Sequence, residues 1–117
     1  MAGKAKYLLV VSMDVDPEHE AIFNEVYDHE HCPNLSKVPG VLDIARYKRE
    51  PLTMNIGGER KTIHIEGEPA YTAIYVIENP EVLTSAAWNK AVEEGRWPAQ
   101  VRPYTRNRRH VLMKLMG

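Results

Sequence analysis

A run of apolar residues leading into an acid or amide, a proline and a glutamate occurs twice in this chain. Tyr7-Leu8-Leu9-Val10-Val11-Ser12-Met13 leads into Asp16-Pro17-Glu18, and Tyr71-Thr72-Ala73-Ile74-Tyr75-Val76-Ile77 leads into Asn79-Pro80-Glu81. Aromatic and β-branched residues suit a strand. Asp or Asn at the N-cap, Pro at the first helical position and Glu in the first turn form a helix start. The chain therefore repeats a strand–turn–helix unit. This restricts it more than any other feature, because each helix has to pack back on the strand that precedes it.

Two further strands complete the pattern, Val41 to Arg49 and Arg108 to Met116. The order strand-helix-strand, strand-helix-strand predicts an α+β ferredoxin-like βαββαβ domain: a four-stranded antiparallel sheet with both helices on one face. At 117 residues the chain is expected to be a single domain, 1–117. Residues 51–69 are its least core-like part, and Gly57-Gly58 marks a hairpin or flap insertion there. The strands are apolar on both sides, so the face away from the helices requires a cover. A symmetric homodimer, sheet against sheet, supplies one.

Placing residues at roughly 100° intervals puts Ile22, Phe23, Val26 and Tyr27 on one arc of the first helix. Glu30 falls within that arc. His29 and His31 lie on opposite flanks, roughly 160° apart. Pro33 disfavours helical geometry at Cys32, so this helix is expected to end near His31. Gly95 is expected to cap the second helix, which runs through Leu83, Ala86, Ala87 and Ala91.

The window Tyr27-Asp28-His29-Glu30-His31-Cys32-Pro33 holds two of the five histidines and the only cysteine. Glu30 and His31 are the candidate catalytic residues. A carboxylate facing a sheet is costly to ionise unless paired, so Glu30 either works as an acid or base in a cleft or forms a structural pair, with Arg46 the candidate partner. His31, near a helix C-terminus, could relay protons with Tyr27 or simply stabilise the helix end. Tyr27, Arg46, Tyr75 and Trp88 are candidate substrate-binding groups, although Tyr75 and Trp88 also fit core, dimer-interface or helix packing. Asp28, His31 and Cys32 could share one turn, but the strong zinc spacings are absent and no metal is expected. A lone cysteine forms no intrachain disulfide, and it lacks a second thiol or a nucleophile signature.

Composition narrows the class. No stretch approaches the ~20 apolar residues of a membrane span, the first residues lack a signal-peptide run, and a lone cysteine makes a reducing cytoplasm the simplest home. Residues 1–94 hold all 16 acids and 9 of the 15 Lys and Arg residues, whereas residues 95–117 hold six bases and no acid. No aromatic-rich RNA motif accompanies that basic end, so its bases are expected to answer acids elsewhere and no nucleic-acid partner is expected. Phosphate-cradling glycine loops are absent too.

In full, the chain resembles the dimeric α/β-barrel superfamily, and within it EthD-like bacterial proteins of mostly unassigned function. The resemblance rests on Phe23-Asn24, Tyr27-Asp28, Glu30-His31, Pro33, Leu35, Val38-Pro39-Gly40 and Ala45-Arg46-Tyr47. In the second half it rests on Tyr71, Ala73-Ile74-Tyr75, Asn79-Pro80-Glu81, Ser85, Gly95 and Arg109. It implies a small enzyme acting without a cofactor on an apolar, aromatic or polyketide-like molecule by acid–base chemistry. Glu30 and His31 would move protons and Arg46 would hold an anionic oxygen. The alternative is a non-catalytic dimeric module that binds a ligand or a protein.

Overall fold

The structure, a computed structural model, describes residues 6–117. Its core is a four-stranded antiparallel sheet of β1 (Tyr7–Val15), β2 (Val41–Lys48), β5 (Tyr71–Ile77) and β6 (Thr105–Lys114), in the order β2-β5-β1-β6. This is the ferredoxin-like arrangement. The register pairs Leu9 with Tyr75 on one side and with Leu112 on the other. Alternate residues along β1 (Leu9, Val11, Met13, Val15) and β5 (Tyr71, Ala73, Tyr75, Ile77) are buried under the helical layer. Tyr71 and Tyr75 thus belong to the helix-facing side and not to the open face.

The opposite face carries Leu8, Val10, Ile74 and Val76, all only half-buried, with Val111 and Met113 exposed beside them. Residues 52–63 form a separate hairpin, β3 (Leu52–Ile56) and β4 (Glu59–Ile63), turning at Gly57-Gly58 with both glycines at positive φ. Apart from Ile63, every residue of its strands is exposed.

Both Pro-Glu starts open as 3-10 turns, Pro17–His19 and Pro80–Thr84, and neither Asp16 nor Asn79 caps through its side chain. The first helix departs from expectation beyond that. It continues as α1 (Glu20–Val26), widens into a π turn over Tyr27–His31, and resumes as α2 (Cys32–Ser36). Pro33 does not end it. Proline lacks the N–H that would continue an α ladder, and its ring crowds the carbonyl four residues back. In the wider turn before it, the Cys32 N–H reaches back to the Tyr27 carbonyl. The second helical segment breaks at Ser85, whose Oγ accepts the Trp88 N–H at 3.2 Å and starts the short α3 (Ala86–Ala91). A second π turn, Trp97–Val101, leads through a 3-10 turn into β6.

Candidate functional site

The two π turns face each other across the helical layer, and each delivers one ring. His31 closes the first and Trp97 opens the second, and the rings stack at 4.1 Å between centroids, 13° from parallel. In a π turn each residue advances less than the α-helical angle. The five residues of the first turn therefore swing His31 from the flank of the helix onto its sheet-facing arc. His31 is 6% exposed, the one charged or polar residue of the buried set among the described residues.

Beside this pair a cavity of about 600 Å³ opens between the helices and the sheet. Leu9, Val11, Met13, Leu35, Leu83 and Val92 make it apolar, and Tyr27, Tyr75, Trp88 and Trp97 give it an aromatic lining. The polar groups are few: the two phenols, His31 and His110, Arg102 and Arg108. Among the described residues no carboxylate lines it. An apolar cleft with a few convergent polar groups is the usual form of a small-molecule site.

The Tyr27 and Tyr75 hydroxyls lie 3.2 Å apart and buried. Burial pushes the Tyr27 phenol up to about 12, and burial likewise holds Tyr75 well above its ordinary value. Both stay protonated at neutral pH. Two hydroxyls sharing one hydrogen bond still leave one O–H able to donate elsewhere. Burial also lowers His31 to about 4, with a smaller contribution from Arg102, so its imidazole is neutral. Its Nδ1 is buried with no hydrogen-bond partner among the described residues, which ordinarily costs about 1–3 kcal/mol.

The other predicted residues are distributed differently. Glu30 does not line the cavity and does not meet Arg46. It accepts the Arg96 backbone N–H at 2.9 Å and the Arg96 Nε at 2.5 Å. Those two bonds, the backbone one foremost, hold its carboxyl below the ordinary range. Arg46 is engaged elsewhere, donating to Asp28 at 2.7 Å and to Asn24 at 2.8 Å. Its guanidinium lies 4.3 Å from the Tyr27 ring centre, so it braces that ring without reaching the cavity. Trp88 meets Tyr75 edge-on at 5.7 Å, at the cavity wall. His31, Tyr27, Tyr75 and Trp88 are thus gathered at one place, and Glu30 and Arg46 are not.

Asp28 and Cys32 lie on the side of the helix toward β2, whereas His31 faces the cavity, so the three do not converge as metal ligands. Burial raises the Cys32 thiol to about 11 and keeps it protonated. Among the described residues Asp16, Glu18 and His19 bring ligand atoms within 4.8 Å of one another, but Asp16 already pairs with Arg106. Sequence reasoning overlooked Trp97, Arg108 and His110. Trp97 follows Gly95 and precedes Pro98, a stretch with no periodicity to mark a buried ring. Arg108 and His110 alternate along β6 and so share a face of that strand.

Comparison with known proteins yields a structural relative. An ethyl tert-butyl ether d (EthD) family protein from Bacillus halodurans c-125 superposes with a TM-score of 0.56 at 15% sequence identity, over 94% of this chain and 99% of that one. At that identity the likeness shows a shared fold, an EthD-like α+β domain. No family model matches the sequence. No curated protein matches it either. Among the described residues no helix is long and apolar enough to cross a membrane.

Proposed function

We propose that this chain is a small cytoplasmic enzyme that binds an apolar or aromatic molecule in the cavity beside His31 and moves a proton on it without a cofactor. The observation that carries this reading is a buried, neutral histidine at the wall of an apolar cavity, next to a pair of protonated phenols. His31 would accept a proton from an acidic carbon or hydroxyl of the ligand. The free O–H of the Tyr27–Tyr75 pair would donate to the oxygen on which negative charge develops. A histidine lowered to about 4 is a weak base on its own. The anion formed by the transfer would stabilise the new imidazolium beside it in a poorly solvated site. Arg46 and Glu30 would act indirectly, Arg46 by bracing Tyr27 and Glu30 by fixing the loop that carries Trp97.

The apolar sheet face supports assembly as a homodimer. Val10 and Val111 sit opposite each other at its centre, so a second copy laid on this face would cover Leu8, Ile74, Val76 and Met113. The second reading, a non-catalytic dimeric binding module, is favoured by the low basicity of His31. Solvent-deuterium exchange at the acidic carbon of a phenyl-1,3-diketone separates the two. Exchange faster than in buffer, and lost in His31→Gln, is the expected result. Binding of the diketone with no exchange above buffer would leave the module reading.

A further inference from the structure

The five arginines of residues 96–109 are not equivalent. Arg96 pairs with Glu30 and Glu25, Arg102 with Glu93, Arg106 with Asp16 and Arg109 with Glu68. Arg108 is the exception, having no carboxylate at ion-pair distance among the described residues. It is also the one of the two cavity-lining arginines whose charge is unanswered, since Arg102 is held by both oxygens of Glu93 and by the Val92 carbonyl.

Arg108 is exposed and stands with His110 on the helix-facing side of β6, at the open side of the cavity. Among the described residues no acid lines that cavity, and Arg108 is the lining charge that no carboxylate offsets. Burial raises Tyr27 and lowers His110, and the Arg108 charge adds a smaller downward pull on each. What sets Arg108 apart is its place: it is both without a carboxylate partner and on the cavity lining, where an entering group can meet it.

We propose that the ligand of this cavity is an anion, an apolar or aromatic body bearing one carboxylate-like oxygen group, and that Arg108 receives that group while Trp88 and Trp97 flank the body. The proposal rests on the reading of the cavity as the ligand site and names the class of molecule it takes. The anion-holding role expected of Arg46 passes to Arg108, because Asp28 already occupies Arg46. A guanidinium can grip a carboxylate through two parallel N–H bonds, which an ammonium cannot reproduce.

The test compares 2-naphthoate with 2-naphthalenemethanol, its uncharged counterpart, by titration calorimetry on the full chain, on Arg108→Gln and on Arg108→Lys. The expected result is naphthoate binding about 10-fold or more tighter than the alcohol, as for hydrogen bonds to a charged group. Arg108→Gln erases that preference, Arg108→Lys keeps part of it, and the preference shrinks as salt rises. Equal binding of the two probes by the unaltered chain overturns the proposal and leaves the cavity reading intact. So does an Arg108→Gln variant that keeps the preference. Failure of both probes to bind overturns the cavity reading together with the proposal.

Discussion

Glu30 grips Arg96 twice, through the backbone N–H and through Nε, and so ties the π turn of the first helix to the loop that carries Trp97. A group fastened this way serves architecture. Glu30→Gln keeps the shape, loses the charge and can satisfy only part of the pair. It should lower the melting temperature by a few degrees while binding of naphthoate in the cavity changes less than twofold. A variant that keeps its melting temperature but loses binding would put Glu30 back in the site.

Gly95 makes that grip possible. Its φ of +69° is left-handed, and a Cβ there would stand 2.5 Å from Glu30 Oε1. Gly95→Ala should cost about 1–2 kcal/mol for the backbone conformation, with a further loss from displacing Glu30. The two parts separate in a double-mutant cycle. In a Glu30→Ala background the clash is gone, so Gly95→Ala should cost less there in urea unfolding. Equal costs in the two backgrounds would mean that the glycine and the carboxylate act independently.

The strand-Pro-Glu repeat and the two-sided apolar strands made the sheet and its helical layer legible. Both signals are local: each apolar run forms a strand, and each Pro-Glu start opens a helical segment, although as a 3-10 turn without a side-chain cap. Much of the site was not legible, because its geometry depends on one departure from regular helix. At a uniform helical angle Glu30 faces the sheet and His31 sits on the flank. The π turn before Pro33 reverses their roles. The proline is visible in the sequence, but it reads as a stop until the neighbouring backbone is known to widen. Trp97 illustrates the same limit, since nothing within Arg96-Trp97-Pro98 announces that its ring will lie on that of His31. Arg108 could have been singled out only by knowing which acids its neighbours find.

Val111 is 44% exposed and lies opposite Val10 at the centre of the bare sheet face. If that face meets its own copy, light scattering at micromolar concentration should give twice the 13.4 kDa of one chain. Val111→Glu places like charges against each other across a two-fold axis and buries them, so it should yield monomers. The substitution leaves the helix-facing side untouched. A monomer before any substitution would refute sheet-face pairing.

His31 should leave a signature in the pH dependence of stability. Burial lowers it to about 4 in the folded chain, against an ordinary value of 6.5, with Arg102 adding to the shift and Glu93 opposing it. Between those values the unfolded chain takes up a proton that the folded chain refuses, so stability falls as pH drops from about 6.5 to about 4. The full loss is on the order of 3 kcal/mol, with the greater part above pH 4.5. Glu30 and Glu93, held below the ordinary carboxylate range, add their own losses only at lower pH. His110 is lowered as well and acts with the same sign, so the comparison has to be with a variant that retains it. His31→Phe keeps a ring against Trp97 and removes the titration. Urea unfolding followed from pH 7 to 4.5 should therefore show a markedly shallower loss in His31→Phe than in the unaltered chain. Parallel curves would mean that the imidazole is protonated in the folded state as readily as in the unfolded one. Burial would then not lower His31, and the imidazole would be a base of ordinary strength rather than a weakened one.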